Sequence, residues 1–147
     1  MENERSLGEY MEKTCDSSGG VVERLAKKFD LELPGKFTQD WEYIVAKVEQ
    51  LDQYIAYYQS GALCGLEKEL LMRIILQAYD DYTAVGEQED VEDIYKMPIR
   101  ECLQRDYLLH KETIAYWALE DDEMDDVFSI TPFVREIKLQ MDEKKIP

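Results

Sequence analysis

The single histidine of this chain, His110, is the first residue that invites a chemical interpretation. On a helix beginning at Pro98 it falls on the apolar side, and Asp106 lies one turn earlier on that side. A carboxylate at this spacing would orient the imidazole, so the pair suits a general base. No nucleophile or second catalytic group accompanies it. The sequence therefore favours a structural His110 in the core, and we predict no catalytic residue.

Carboxylate pairs spaced for one helix face are a second candidate, in this case for a metal site. On two facing helices such pairs hold Mg²⁺ against substrate phosphates, as in all-helical nucleotide pyrophosphohydrolases. With 33 acids among 147 residues, these spacings also arise readily by chance. A divalent-metal-dependent phosphohydrolase acting on nucleotides is therefore an alternative, and no metal is assigned. The pairs are Glu9/Glu12, Glu89/Glu92, Glu120/Glu123, Glu49/Asp52 and Glu123/Asp126.

Three cysteines, Cys15, Cys64 and Cys102, lie far apart and include no C-x-x-C pair. The N-terminal sequence lacks the basic-then-apolar pattern of a signal peptide, so we expect a reduced, cytoplasmic protein with cysteines as small core residues. No stretch approaches the roughly 18 apolar residues of a membrane span. Glycine-rich phosphate loops and G-x-S-x-G turns are also missing. We therefore predict no membrane association and assign no cofactor.

The acidic residues are concentrated in two segments. The first acidic segment, residues 80–93, contains seven acids and no base, and the second acidic segment, residues 120–126, contains six acids and no base. The other 126 residues hold 20 acids and 17 bases and are nearly neutral, although the whole chain has a net charge of −16. This surplus of acid excludes nucleic-acid binding through bulk charge, because neutralising phosphates requires surplus Lys and Arg.

Part of each acidic segment falls at the C-terminal end of a predicted helix, where the macrodipole favours cations. Asp80 and Asp81 have this placement, and so does the run at 120–122. A bound cation or a basic partner would offset the unfavourable field, which favours a binding function. Solvated acidic loops are the alternative. Antiparallel packing of the helices from Leu66 and Pro98 would place the two segments at opposite ends of a bundle.

Helical periodicity runs through the chain, and no stretch alternates apolar and polar residues as a strand does. This pattern predicts an all-α, single-domain irregular bundle over residues 1–147, with about five to seven helices and a central apolar helix near 66–82. Residues 1–20 are expected to form a loosely packed first helix and a Gly/Ser break, and Gly61 is expected to end a helix in the left-handed conformation. Helices are predicted from Ser6 to Cys15, Val21 to Phe29, Thr38 to about Ser60, Leu66 to about Tyr82, Asp90 onward, Pro98 to about Leu119, and Thr131 onward.

Three tyrosines fall opposite the core stripe of the helix predicted from Thr38. Tyr43, Tyr54 and Tyr57 share that side. A neighbouring helix either buries them, as is usual for aromatic rings, or leaves them as an exposed strip suited to binding.

These features together favour a non-catalytic inhibitor of a basic protein, in the style of bacterial immunity proteins that neutralise nuclease toxins. Opposite charges would steer the encounter, and aromatic side chains beside the acids would supply short-range affinity. A regulatory or scaffold subunit that binds through the tyrosine strip is a further alternative. The predicted partner contacts are Asp80, Asp81, Asp90, Asp93, Asp121, Asp122, Asp125 and Asp126, with Tyr54, Tyr57, Tyr79 and Tyr82 as aromatic neighbours.

Overall fold

A computed structural model describes residues 18–33, 41–61, 63–84, 94–120 and 127–145. Every secondary-structure element within these ranges is helical, which confirms the all-α prediction. The helices predicted at Ser6 and Asp90 lie outside the described residues. The elements are α1 (Ser18–Phe29), α2 (Trp41–Ile44), a 3-10 turn (Val48–Gln50), α3 (Leu51–Gln59), α4 (Gly65–Ala84), α5 (Lys96–Arg105), α6 (Lys111–Ala118) and α7 (Thr131–Lys145).

The chain divides into two compact units, residues 1–75 (unit 1) and 76–147 (unit 2), and the division falls within α4. The prediction of one domain therefore stays a prediction. The apolar side chains of α4 are buried around most of its circumference, as its sequence predicts. Its buried residues include Leu70, Leu71, Met72, Ile74, Ile75, Leu76, Ala78 and Tyr79.

Helix α1 of unit 1 buries one stripe of apolar residues and ends in a hydrogen-bonded cap. Val21, Leu25 and Phe29 are buried at helical spacing. Asp30 then adopts a left-handed conformation with φ of 55°. The N–H of Leu31 donates to the carbonyl of Ala26 at 2.8 Å, a pattern that satisfies carbonyls at a helix C-terminus. The helix begins at Ser18, so the flexible break predicted through Gly20 is wrong for its last three residues.

Glu67 organises the start of α4 within unit 1. Its carboxylate accepts the N–H of Cys64 at 3.4 Å, which is one half of a capping box. The same carboxylate lies 3.6 Å from the guanidinium of Arg24 and accepts the hydroxyl of Tyr57 at 3.4 Å. These contacts give hydrogen-bond and ion-pair partners to the Glu67 carboxylate, although Glu67 is only 3% exposed.

Cys64 and Cys102 are buried, as expected for small core residues. Cys102 is a free thiol, whereas Cys64 is disulfide-bonded. The prediction of reduced cysteines is therefore wrong for Cys64, because wide spacing in sequence does not prevent two cysteines from meeting in a folded chain. Cys15 lies outside the described residues.

Two predicted long helices are interrupted. The helix expected from Thr38 to Ser60 breaks between α2 and the 3-10 turn, where Lys47 is extended and its N–H donates to the hydroxyl of Tyr54 at 3.1 Å. The helix expected from Pro98 to Leu119 breaks at residues 106–110, between α5 and α6. Both breaks preserve the apolar spacing on either side, so periodicity alone does not reveal them.

No helix within the described ranges combines the length and the apolar character that crossing a membrane requires.

Candidate functional site

Hydrogen bonds join the C-terminal end of α4 to the start of α7 within unit 2. The hydroxyls of Thr83 and Ser129 are hydrogen-bonded at 2.7 Å. One turn earlier on α4, the carboxylate of Asp80 accepts the N–H of Ile130 at 3.0 Å. The end of α4, where the first acidic segment continues, therefore lies against the residues that follow the second acidic segment.

Aromatic rings hold the two ends of the first acidic segment together. Tyr82, just before the segment leaves α4, meets Tyr95 edge to face, with ring centroids 5.0 Å apart. Tyr95 directly precedes α5. Residues 85–93 therefore connect two points of unit 2 that lie side by side.

The two ends of the second acidic segment are also held close. The rings of Trp117 and Phe128 have centroids 4.5 Å apart, and the hydroxyl of Thr131 donates to the carbonyl of Trp117 at 2.8 Å. The guanidinium of Arg135 donates to the carbonyls of Ala118 and Leu119. The end of α6 and the residues that follow the second acidic segment are thus in direct contact.

These contacts bring three ends of the acidic segments, near Ala84, Ile94 and Val127, to the start of α7, which we call the acidic end. The fourth end, Glu120, lies beside Lys138, about two turns further along α7. The expectation that the segments lie at opposite ends of a bundle is wrong for Ser129 and Ile130, which follow the second segment and contact the C-terminal end of α4. The break at residues 106–110 shows why, because Pro98 to Leu119 is two helices rather than one rod.

The unfavourable charge at the helix ends is offset partly within the protein. Asp80 accepts N–H groups at the N-terminal end of α7, where the helix dipole favours a negative charge. Burial nevertheless raises the pKa of the Asp80 carboxyl, while its backbone hydrogen bonds act in the opposite direction. At the C-terminal end of α6, Arg135 supplies the cation that the dipole favours.

Lys138 lies 3.0 Å from the carboxylate of Glu120 and 3.3 Å from that of Asp142. These two hydrogen bonds raise the pKa of the Lys138 ammonium. Asp80 and Glu120 therefore have structural partners inside unit 2, and a bound cation is not needed to explain either of them.

Apart from Asp80, which is half-buried and bonded inside unit 2, the predicted contact residues of unit 2 fall into three groups. Asp81 is exposed and Tyr82 is half-buried at the acidic end, whereas Tyr79 is only 2% exposed. Tyr79 therefore supports the site from inside and does not present its ring to a partner. Six predicted contacts lie outside the described residues: Asp90, Asp93, Asp121, Asp122, Asp125 and Asp126.

The tyrosines of unit 1 do not form the exposed strip that was one of two expectations. Tyr54 is fully buried, and its hydroxyl donates to Gln50 at 2.9 Å. Phe29 of α1 covers the rings of Tyr54 and Tyr57, with centroids 4.9 Å and 5.6 Å away. Tyr43 and Tyr57 are half-buried. Burial under a neighbouring helix, the other expectation, is correct for Tyr54.

His110 is fully buried just before α6, which agrees with its interpretation as a core residue. Its backbone N–H donates to the carbonyl of Asp106 at 3.2 Å, and the Asp106 carboxylate lies 3.9 Å from Arg105. Within the described part of the chain, no three His, Cys, Asp or Glu side chains group closely enough to hold a metal ion. The pairs Glu9/Glu12, Glu89/Glu92 and Glu123/Asp126 lie outside that part, and so does Glu123 of the pair Glu120/Glu123.

Sequence reasoning missed three residues that build the acidic end: Thr83, Ser129 and Arg135. Hydroxyl and guanidinium groups at these positions have no distinctive spacing in the sequence. A cation one helical turn after the Thr131-Pro132 helix start was the only available signal, and it gave no indication of a contact with α6.

Comparisons with models of known protein families, with curated proteins and with solved structures gave no match.

Proposed function

We propose that this protein is a non-catalytic inhibitor that binds a basic protein through the acidic end of unit 2. A single observation carries the proposal: the contacts of Thr83, Asp80 and Tyr82 hold both ends of the first acidic segment beside the residues that follow the second. Two acidic segments that adjoin in this way would offer a partner one binding surface, whereas segments at opposite ends would serve two partners or none.

Chain length and screening support a joint action of the two segments. Both segments are short, since nine residues separate Ala84 from Ile94 and six separate Glu120 from Val127. Electrostatic interactions extend over about 10 Å at 0.1 M salt and about 30 Å at 0.01 M. Charges on both segments therefore act on the same approaching protein, most strongly at low salt.

The chemistry of the partner follows from the charge. A protein that binds nucleic acid presents clustered Lys and Arg, and carboxylates are able to occupy the positions of its phosphate ligands. The basic partner that best fits is a nuclease domain of a toxin, which would make the protein an immunity protein. Electrostatic steering speeds association with such a partner and makes the rate depend on salt.

Three matched variants, each with five carboxylates changed to amides, test the proposal. The first-segment variant carries E87Q, E89Q, D90N, E92Q and D93N. The second-segment variant carries D121N, D122N, E123Q, D125N and D126N. The unit-1 control carries E23Q, D30N, E32Q, E49Q and D52N, all at exposed positions. Asp80 and Glu120 stay unchanged because they make contacts inside unit 2.

Each protein is used to capture partners from the source cell, and each captured partner is then purified and its association rate measured against salt. We expect a basic protein that binds the wild type and the unit-1 control, binds both segment variants more weakly, and associates more slowly as salt rises. Capture of no basic protein would contradict the proposal. Equal binding by all four proteins would contradict it as well.

A further inference from the structure

Unit 2 contains a cavity of about 290 Å³ at the acidic end, between the C-terminal end of α4, the first turn of α5 and the start of α7. Its buried lining is apolar and consists of Tyr79, Ile130 and Phe133. The rings of Tyr79 and Phe133 meet at 72°, with centroids 5.5 Å apart. The cavity thus has an aromatic floor.

Polar groups surround the cavity where it opens. Lys96, Ser129 and Glu136 are exposed lining residues, and Thr83 is a half-buried one. The guanidinium of Arg100 lies 2.7 Å from the Glu136 carboxylate. The opening therefore combines hydroxyls with one ammonium and one carboxylate, and it carries no large net charge.

Three residues that line the cavity adjoin the acidic segments in the chain. Thr83 is one residue from the end of α4, where residues 85–93 begin, and Lys96 follows the end of that segment in the first turn of α5. Ser129 comes three residues after the end of the second segment. The hydrogen bond between Thr83 and Ser129 that joins the two segments is part of the cavity wall.

We propose that this cavity receives one aromatic side chain, tryptophan or tyrosine, from a basic segment of the partner. The inference rests on the proposed function and names the group that anchors the complex. At about 290 Å³ the cavity is at the small end of ligand pockets, which suits one large side chain. A ring entering it would extend the edge-to-face packing of Tyr79 and Phe133.

The polar opening and the charge around it define the occupant further. Trp and Tyr carry a polar group beyond an apolar ring, so their N–H or O–H can reach the hydroxyls or the carboxylate at the opening. The ammonium of Lys96 would lie beside an entering ring, an arrangement favourable for a cation and an aromatic face. The acidic segments, which adjoin Thr83, Lys96 and Ser129 in the chain, would select basic residues next to that ring in the partner. Interfaces commonly concentrate binding energy in one such buried aromatic anchor.

Two synthetic peptides test the inference on the full chain. One is a short lysine-rich peptide with a single central tryptophan, and the other has alanine at that position. We expect the tryptophan peptide to bind at least about tenfold more tightly, as burial of a large aromatic side chain predicts. Both affinities should fall as salt rises.

Filling the cavity should remove this preference. Ser129→Trp places a ring at the cavity wall, and Ser60→Trp is the matched control, because Ser60 is also an exposed serine with a hydrogen-bonded hydroxyl, in unit 1. We expect Ser129→Trp to bind both peptides equally and Ser60→Trp to keep the tenfold difference. Free indole gives a second readout without any substitution. It should weaken binding of the tryptophan peptide and leave the alanine peptide unaffected.

The results separate the inference from the proposed function. If both peptides bind wild type equally with strong salt dependence, the cavity inference is wrong while the acidic surface stands. If the preference for tryptophan survives both Ser129→Trp and excess indole, the inference is likewise wrong. If neither peptide binds at low salt, both the inference and the proposed function are contradicted.

Discussion

Replacing Asp80 by alanine should loosen the acidic end, because Asp80 joins α4 to the start of α7. Its carboxylate accepts the N–H groups of Ser129 and Ile130, the latter at 3.0 Å. Asp80→Ala leaves these donors without that acceptor. Asp80→Asn keeps an oxygen acceptor and removes the negative charge. The neighbouring Asp81→Ala is a matched control, since Asp81 is exposed and its carboxylate accepts a hydrogen bond from Gln77 at the surface.

The expected size of the effect follows from two opposing contributions. Hydrogen bonds to a charged group contribute about 1.5–3 kcal/mol to the free energy of unfolding. Removing one partner also leaves the other, buried group without a hydrogen bond, which destabilises the folded state further. The burial that raises the pKa of Asp80 works against its ionised form. We therefore expect Asp80→Ala to lower the free energy of unfolding by about 1–2 kcal/mol, less than the full value of such hydrogen bonds. At about 2–4 °C per kcal/mol for a chain of this size, the Tm falls by about 2–8 °C.

Thermal unfolding followed by circular dichroism measures the change, and Asp81→Ala should stay within about 0.5 kcal/mol of wild type. The pH dependence gives a second check. Because folding raises the pKa of Asp80, the folded state binds this proton more tightly than the unfolded state does. The contribution of Asp80 protonation to the free energy of unfolding is fully present below the ordinary pKa of 3.8. It is lost as the pH rises through the raised pKa that Asp80 has in the folded state.

Relative to Asp80→Asn, wild type should therefore lose stability as pH rises above 3.8. Parallel stability curves for these two proteins would refute the assignment. Equal melting of Asp80→Ala and Asp81→Ala would refute the structural role of Asp80.

Three further predictions concern other parts of the fold. Arg135→Met should lower the free energy of unfolding in urea by about 2 kcal/mol, because the Arg135 guanidinium binds two carbonyls at the end of α6. Lys138→Met removes only partly exposed ion pairs and should lower it by less than about 1 kcal/mol. Equal losses of stability in the two variants would contradict this difference. Tyr54→Phe should cost about 1 kcal/mol by the same measurement, since the buried hydroxyl accepts a backbone N–H and donates to a side chain, and an unchanged midpoint would argue against those contacts. Iodoacetamide labelling in denaturant without reductant, read by peptide mass spectrometry, should modify Cys102 and spare Cys64, and modification of both would show that the disulfide is absent.

The sequence predicts those helices whose start and end are marked by local chemistry. Leu66 to Tyr82 becomes Gly65–Ala84, and Thr131-Pro132 starts the last helix as expected. The breaks after Ile44 and Arg105 escape prediction because apolar residues keep helical spacing across them. In the first of these, the decisive interaction is tertiary: the hydroxyl of Tyr54 accepts the N–H of Lys47.

The composition of the candidate site is readable from the sequence, but its assembly is not. Seven acids in 80–93 and six in 120–126 are visible at once. The contact between the residues that flank the two segments depends on hydrogen bonds that join Thr83 to Ser129 and Asp80 to Ile130, across 46 and 50 residues of chain. No local propensity encodes pairs so distant. The cavity depends on the same contacts, and for that reason neither feature has a signature within one helix.

A calorimetric titration with cytochrome c, a small folded basic protein, at low salt would decide whether the acidic segments form one surface. One surface predicts one bound molecule per chain. It also predicts that the first-segment and second-segment variants each bind that molecule at least about tenfold more weakly, while the unit-1 control binds like wild type. Two bound molecules per chain, each lost with a different segment, would contradict a single acidic end. Binding that is insensitive to both segment variants would contradict it equally.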